Sequence, residues 1–369
     1  MNIFYIQSFI VYTILFIIMF ILFKQYKHKY RYVLYFVAIL IYAVCFGCRY
    51  GVGYDHLYYL KNYETFQMIN DQVESEYGFY FLMQLCKGIN LHYAFFFSLI
   101  AFLQLFFVFY SLKKFQDVYS YVVFTFMIGC VWLSFNNGLR QELAFTIFAL
   151  GVASIANRNL FRYCILIACA SLMHKSAILL FPLYFLYSTS RTGWFKNVKW
   201  QLILLVIAFV LGINMTSIDF MKQMESILAY FHYDVYLSEE MSGYSIQGYS
   251  FGLGALILLF IDILIVVYSN YCKGYYSSTQ LNIMYDCYFV GLLIRYAFIN
   301  SPIVQRVNYY FYGFQFIVAA FILCYLINTK KNMRYVFIGL YILVFFATLL
   351  RMEDNTSLFK FFWQIPSLY

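Results

Sequence analysis

The amino-acid sequence predicts an all-α, polytopic integral membrane bundle of about 11–13 membrane segments, including one short broken hairpin. Three observations carry that prediction. The chain of 369 residues is 64% hydrophobic and only 11% charged, where a soluble domain carries roughly 25% charged residues. Apolar runs of about 16 to 22 residues recur along it, the length that crosses a hydrocarbon core of roughly 30 Å. Basic residues gather in the short connections between those runs, as cytoplasmic loops require. The mean hydropathy of +0.73 agrees. With no water to satisfy backbone groups inside a bilayer, such runs must be helical.

The first run, Ile3 to Phe23, has no basic region before it and no small-residue cleavage site after it, so a retained helix is expected. Lys24, Lys27, Lys29 and Arg31 mark the loop after it as cytoplasmic. Lys113 and Lys114, Arg158 and Arg162, Arg191 with Lys196 and Lys199, Lys273, and Lys330 and Lys331 with Arg334 mark further cytoplasmic loops. Spans are expected near 32–48, 93–112, 118–135, 139–156, 200–213, 249–270, 281–299, 306–327 and 335–350. Both termini then face outward. The whole of 1–369 is expected as a single integral membrane domain, with outer-face loops at 49–92 and 214–248.

Two stretches break the regular pattern. The run Tyr163 to Ser188 has basic loops on both sides and His174, Lys175 and Ser176 at its middle. It predicts a short hairpin whose polar tip lines a cavity or is buried in protein. The run Phe79 to Leu91 is too short to span and is expected as an outer-surface or re-entrant helix. The carboxylates fall mostly outside. Loop 214–248 carries Asp219, Glu225, Asp234, Glu239 and Glu240, and loop 49–78 carries Asp55, Glu64, Asp71, Glu74 and Glu76. The working face is therefore expected to be the outer one.

The formal charge of +9 follows from topology, and no nucleic-acid motif accompanies it. Cys45 and Cys48 form one isolated CxxC with no second pair or histidine cluster, so neither metal nor cofactor is expected. The 40 tyrosines and 44 phenylalanines fit interfacial aromatic belts, with a carbohydrate platform as the other reading.

Arginines at the outward ends of spans are the chemically informative residues. Arg49, Arg140, Arg295 and Arg306 lie where positive charge is least expected, and a guanidinium there can grip phosphate through two parallel hydrogen bonds. Gly51 and Gly53 allow a sharp turn that would bring Arg49 beside Asp55, as a local ion pair or as a diphosphate site. Asn136 or Asn137 is a natural N-cap for an inward-running helix carrying Arg140 and Gln141, although Glu142 is placed to neutralise that arginine. Pro302 favours a helix start just before Arg306, and Arg295 closes the preceding span. His174 reads either as a satisfied core histidine or as a general base or phosphate donor. Asp262 and Asp286 lie at or inside spans and are expected to be paired or to mark a proton path.

The segments GCRYGVGYDHLYY, ESEYGFYFLMQLCK, NNGLRQELAF, ASLMHKSAILLFPLY and SPIVQRVNYYF together resemble the EpsG-type family of exopolysaccharide and O-antigen polymerases, the Wzy-like proteins. They occur in the family's order and cover most of the chain. Tyr54 before Asp55 and Tyr77 after Glu76 depart from the residues common in the family. The resemblance implies a GT-C-like glycosyltransferase architecture in the bacterial cytoplasmic membrane, working on its periplasmic or extracellular face. It implies polymerisation of oligosaccharide repeat units carried on undecaprenyl diphosphate, with release of the lipid diphosphate. Donor and acceptor lipids, the bilayer, a chain-length regulator and a flippase are the expected partners. Arg140, Arg306, Asp55 and His174 are the expected catalytic residues, with Asp55 and His174 as alternative bases. Arg49, Gln141, Arg295, Glu76 and Lys175 are expected to bind substrate. A flippase of lipid-linked oligosaccharide or a glycan ligase would share many of these features.

Overall fold

Long apolar stretches free of internal proline can satisfy their backbone only as helices in lipid, and helices make up nearly all of the computed structural model. It describes residues 3–65, 76–187, 193–214, 253–352 and 357–365. The expected loop 214–248, with its five carboxylates, lies almost wholly outside the described residues, as do Asp71, Glu74 and Arg191. Among the described residues six helices are long and apolar enough to cross a membrane: Ile3–Phe23, Tyr93–Ser111, Leu139–Ala156, Gly254–Tyr276, Val304–Asn328 and Met333–Leu350. Shorter apolar helices cover Arg31–Gly47, Leu160–Met173 and Val198–Asn214. The protein is an all-α, multi-pass membrane protein.

Two compact units divide the chain, Met1–Ser188 with Ala319–Tyr369, and Thr189–Val318. In the first, α1 (Ile3–Phe23) and α2 (Arg31–Gly47) lead into β1 (Arg49–Tyr50), α3 (His56–Thr65) and α4 (Tyr77–Gly88). Then follow α5 (Tyr93–Ser111), α6 (Tyr119–Ile128), α7 (Trp132–Asn137), α8 (Leu139–Ala156) and α9 (Leu160–Met173). Helix α5 packs against both α2 and α8, and α8 against α9. The short segment β2 (Lys360–Phe361) pairs antiparallel with β1, Arg49 opposite Phe361.

The core of this unit is aromatic. Tyr12 lies 4.0 Å from Trp132 between ring centroids, Phe46 lies 5.5 Å from Trp132, and Tyr42 lies 4.6 Å from Phe46. Offset and edge-on ring pairs of this kind stabilise beyond their buried area. Part of the aromatic excess is therefore interior packing and not interfacial belt. The expected span 118–135 is broken: α6 stops at Ile128, Cys130 takes a positive φ of 57°, and α7 starts anew at Trp132.

The second unit holds α10 (Val198–Asn214), α11 (Leu253–Tyr276), α12 (Thr279–Ala297) and α13 (Pro302–Tyr312), with α12 packed on α10, α11 and α13. Gly291 permits the α12–α13 approach, since a Cβ there would come within 2.3 Å of the Tyr312 nitrogen. Both intramembrane aspartates are paired. Asp262 accepts from the hydroxyls of Tyr288 at 2.9 Å, Tyr296 at 3.2 Å and Tyr312 at 3.1 Å. Asp286 accepts the Trp194 N–H at 2.7 Å and lies 4.0 Å from the Lys273 ammonium. The expected span 306–327 falls within the apolar helical run Val304–Asn328, which a turn at Gly313 and Phe314 interrupts between α13 and the helix Gln315–Asn328.

Candidate functional site

The loop after α2 and the α7–α8 junction are built as one piece. Arg49 sits at their meeting point, wholly buried. Its guanidinium donates to three backbone carbonyls, Phe46 at 2.5 Å, Val52 at 3.2 Å and Asn136 at 3.0 Å, and its cationic centre lies 5.2 Å from the Phe97 ring centroid. Burial pulls its pKa down to about 10, which leaves it charged at neutral pH. Gly53, with φ of +95°, brings the loop against Asn136, where a Cβ would lie 3.0 Å from that carbonyl. The Asn137 side chain accepts the Asp55 N–H at 3.0 Å.

Two expectations are corrected by this geometry. Arg49 is not an outward guanidinium open to phosphate; every edge of its fork meets a carbonyl. Asn136 and Asn137 do not cap α8, because they end α7, and Gly138 takes the N-cap position without a side-chain bond. The reason is local: an uncapped start is tolerated where Gly138 turns the chain, freeing Asn137 to hold the neighbouring loop.

Arg140, one residue into α8, has different surroundings. Its Nη1 lies 2.6 Å from Oε2 of Glu76, and its Nε lies 3.4 Å from the Tyr59 hydroxyl. Its side chain keeps 21% exposure, while Glu76 keeps 2%. The carboxylate partner of Arg140 is thus Glu76 and not the neighbouring Glu142 that the sequence offered, which is hydrogen-bonded to Ser134. The other carboxylate oxygen of Glu76 meets Nδ1 of His174 and accepts the Lys175 backbone N–H at 3.3 Å. Glu76 therefore bridges an arginine and a histidine that lie 34 residues apart.

The broken hairpin delivers that histidine. Helix α9 ends at Met173, His174 is extended (φ −152°, ψ 117°), and a 3-10 turn runs over Lys175–Leu180. The imidazole keeps 17% side-chain exposure. With Nδ1 on the carboxylate, Nε2 has no hydrogen-bond partner among the described residues. The electrostatics favour an ionised Glu76 carboxylate. Burial alone would push the Glu76 carboxyl up, but the His174 hydrogen bond and then the Arg140 charge outweigh it and hold the carboxyl below its ordinary value.

Glu76, Arg140, His174 and Lys175 are thus brought together, with Gln141 next to Arg140 and the exposed Asp55 one helical turn before Tyr59. Arg295 and Arg306 belong to the second unit. There Arg295 lies 4.4 Å from the Tyr312 ring centroid, and Arg306 is exposed on α13. Gln305 fixes the turn before Arg306 by donating to the carbonyls of Arg295 and Phe298, both at 2.9 Å. Tyr59 is the member of the cluster that sequence reasoning missed; its i+4 spacing from Asp55 was the available signal. His56, also missed, is wholly buried, with both ring nitrogens unpartnered among the described residues. Burial first, then the Arg49 charge, hold it neutral. Among the described residues no three His, Cys, Asp or Glu side chains converge as a metal site needs.

No curated protein and no solved structure matches this chain. A family model described as the EpsG family matches residues 32–363, a stretch that takes in the Arg49 clasp, Glu76, Arg140 and His174. On that match, over nearly its whole length, the chain belongs to the EpsG family.

Proposed function

We propose that this protein is a polymerase that joins lipid-linked oligosaccharide repeat units by glycosyl transfer, and that the Glu76–His174–Arg140 cluster is its reacting centre. Membership of the EpsG family points to polysaccharide polymerisation. The observation that carries the site assignment is the buried Glu76 carboxylate shared between Arg140 and His174. A carboxylate on Nδ1 fixes the tautomer in which Nε2 is unprotonated, the arrangement of a general base. That supports His174, over Asp55, as the group that takes the proton.

The acceptor hydroxyl attacks the anomeric carbon of the donor, and its proton passes to His174 Nε2. The glycosyl–oxygen bond to the polyprenyl diphosphate breaks, and the electron pair leaves with the diphosphate. The transition state is expected to resemble an oxocarbenium ion. Arg140, half engaged by Glu76, keeps donors for the charge that grows on the leaving group, the kind of preorganised stabilisation that dominates catalysis. Lys175, whose backbone N–H binds Glu76, is expected to add a second cation. Arg306 and Arg295 carry the expected diphosphate role as a separate assignment, tested by their own variants.

The orientation follows from the α8–α9 pair. Arg158 in their connection and Arg162 in the first turn of α9 lie at one end of the pair, and Arg140 and His174 at the other. The positive-inside tendency then supports the reading that the cluster lies on the outer face of the bacterial cytoplasmic membrane.

The test is purified protein in vesicles with undecaprenyl-diphosphate-linked repeat unit. Chain growth that His174→Ala and Arg140→Ala each abolish is the expected result. Translocation of the lipid without growth would make the protein a flippase, and transfer only to a different acceptor would make it a ligase.

A further inference from the structure

Beyond the far end of α4 from Glu76, the first unit carries an open cleft of 360 Å³ whose lining includes Tyr63, Glu64, Lys87, Asn90, His92 and Phe362. We propose that this cleft is a saccharide subsite, holding the glycan a few sugars away from the bond that reacts. This rests on the polymerase reading given above.

The polar groups decide the ligand class. Glu64 is exposed and makes no hydrogen bond or ion pair among the described residues, Lys87 holds its ammonium 5.4 Å from the Tyr63 ring centroid, and Asn90 is exposed in a left-handed turn at φ 55°. One carboxylate, one ammonium and one amide leave no net charge. An anion or a cation would be met by groups of one sign, whereas sugar hydroxyls both donate and accept and match such a mixed set. Aromatic surface supplies the rest. The exposed His92 ring and the half-buried Phe362 ring lie 4.7 Å apart, tilted by 40°, and offer apolar ring surface to the C–H face of a pyranose. The volume falls at the small end of ligand cavities, roughly 300–1,000 Å³.

The cleft is held in shape and linked to the reacting centre. The Tyr63 hydroxyl donates to the Leu91 carbonyl at 2.7 Å, and the Phe362 N–H donates to the Cys48 carbonyl at 3.0 Å. Tyr63 stands one turn along α3 from Tyr59, a rise of about 6 Å. A chain of ring contacts joins them: Tyr59 to Phe79 at 5.8 Å, Phe79 to Phe96 at 5.5 Å and Phe96 to Tyr63 at 5.5 Å. These rings are buried, and they tie the cleft wall mechanically to the Arg140–His174 end of α3.

The probe is the surface polysaccharide of the producing cell, cut to short lipid-free oligosaccharides. Binding to the full-length protein in detergent is read by saturation-transfer NMR and titration calorimetry. Glu64→Gln and Phe362→Leu should each weaken binding about tenfold, the worth of one charged hydrogen bond or stacking contact. Phe362→Trp should retain it, and Arg140→Ala should leave it unchanged. In the vesicle assay Glu64→Gln should shorten the glycan chains while the first coupling of two units keeps its wild-type rate. Fragments that fail to bind, or that bind both weakening variants as well as wild type, overturn the subsite while leaving polymerisation untouched. Binding that responds to both variants in a protein that never elongates lipid-linked units keeps the saccharide site and removes the polymerase reading.

Discussion

Arg49 and Arg140 flank the same short stretch of chain, yet one is sealed and the other is shared. Arg49 gives its whole fork to neutral carbonyls and has no exposed surface. Arg140 gives one nitrogen to a buried carboxylate that a histidine also uses, and it keeps a fifth of its side chain open. Carbonyl acceptors saturate a guanidinium permanently and turn it into a clasp. A carboxylate shared with a titratable ring leaves charge and donors available for a ligand. Nearness to a span end does not decide which of these an arginine becomes; the acceptors around it do.

The sharpest way to break this contrast is to remove Arg49. Arg49→Ala removes a donor from three buried carbonyls; Phe46 keeps the Cys48 N–H, while Val52 and Asn136 lose their Arg49 donor. The cost is about 1–3 kcal/mol for each buried acceptor left unsatisfied, against a total stability of about 5–15 kcal/mol. We expect little folded protein by size-exclusion chromatography in detergent, and Arg49→Lys should not restore it. A well-folded but inactive Arg49→Ala would erase the distinction between the two arginines.

Glu76→Gln tests the other side. The amide keeps the shape and some hydrogen bonds, while His174 loses its anchoring charge. Folded yield should stay near wild type, and chain growth should fall about 10²–10⁴-fold, the usual contribution of positioned acid–base chemistry. Retained activity would move the base away from His174, with Asp55 next in line.

A smaller effect concerns acid. The Glu76 carboxyl is held below its ordinary value of 4.5 in the folded protein. Its contribution is therefore fully present above the unfolded value and is lost as pH falls through the lower folded value. The unfolding midpoint of wild type should drop across that acid window, and Glu76→Gln should flatten the drop. Parallel curves for the two proteins would show that Glu76 carries no such linkage.

The smallest expected change is at the seam between the two arginines. Asn137→Ala removes the acceptor for the Asp55 N–H and should cost about 1 kcal/mol, as loss of a cap does. A lower thermal midpoint with unchanged chain growth is the expected pair of readings.

Much of this architecture could be read before any coordinates. Hydropathy and loop charge located the helices because lipid leaves the backbone no other solution, and His174 broke its run where a polar tripeptide interrupts apolar residues. A short helix was expected over Phe79 to Leu91, and one covers Tyr77–Gly88 with Glu76 at its N-cap position. What could not be read was pairing at a distance. Arg140 had an acidic neighbour two residues away in Glu142, but one helical step of that size points the two side chains apart, and the true partner lies 64 residues back. The burial of Arg49 was equally hidden, since a residue just past a helix can turn toward lipid headgroups or into the bundle. The break between α6 and α7 escaped because its residues are apolar enough to continue a span.

The β1–β2 pairing bears on how the protein is made. Arg49 faces Phe361 across that two-residue bridge, the Tyr12 hydroxyl donates to Ser357 at 2.7 Å and the Tyr5 hydroxyl to Met352 at 2.7 Å. Helices inserted first during translation thus wait for a stretch synthesised more than 300 residues later. Ribosomes stalled before that stretch would yield a fully inserted but unlatched chain, a natural substrate for membrane quality-control proteases.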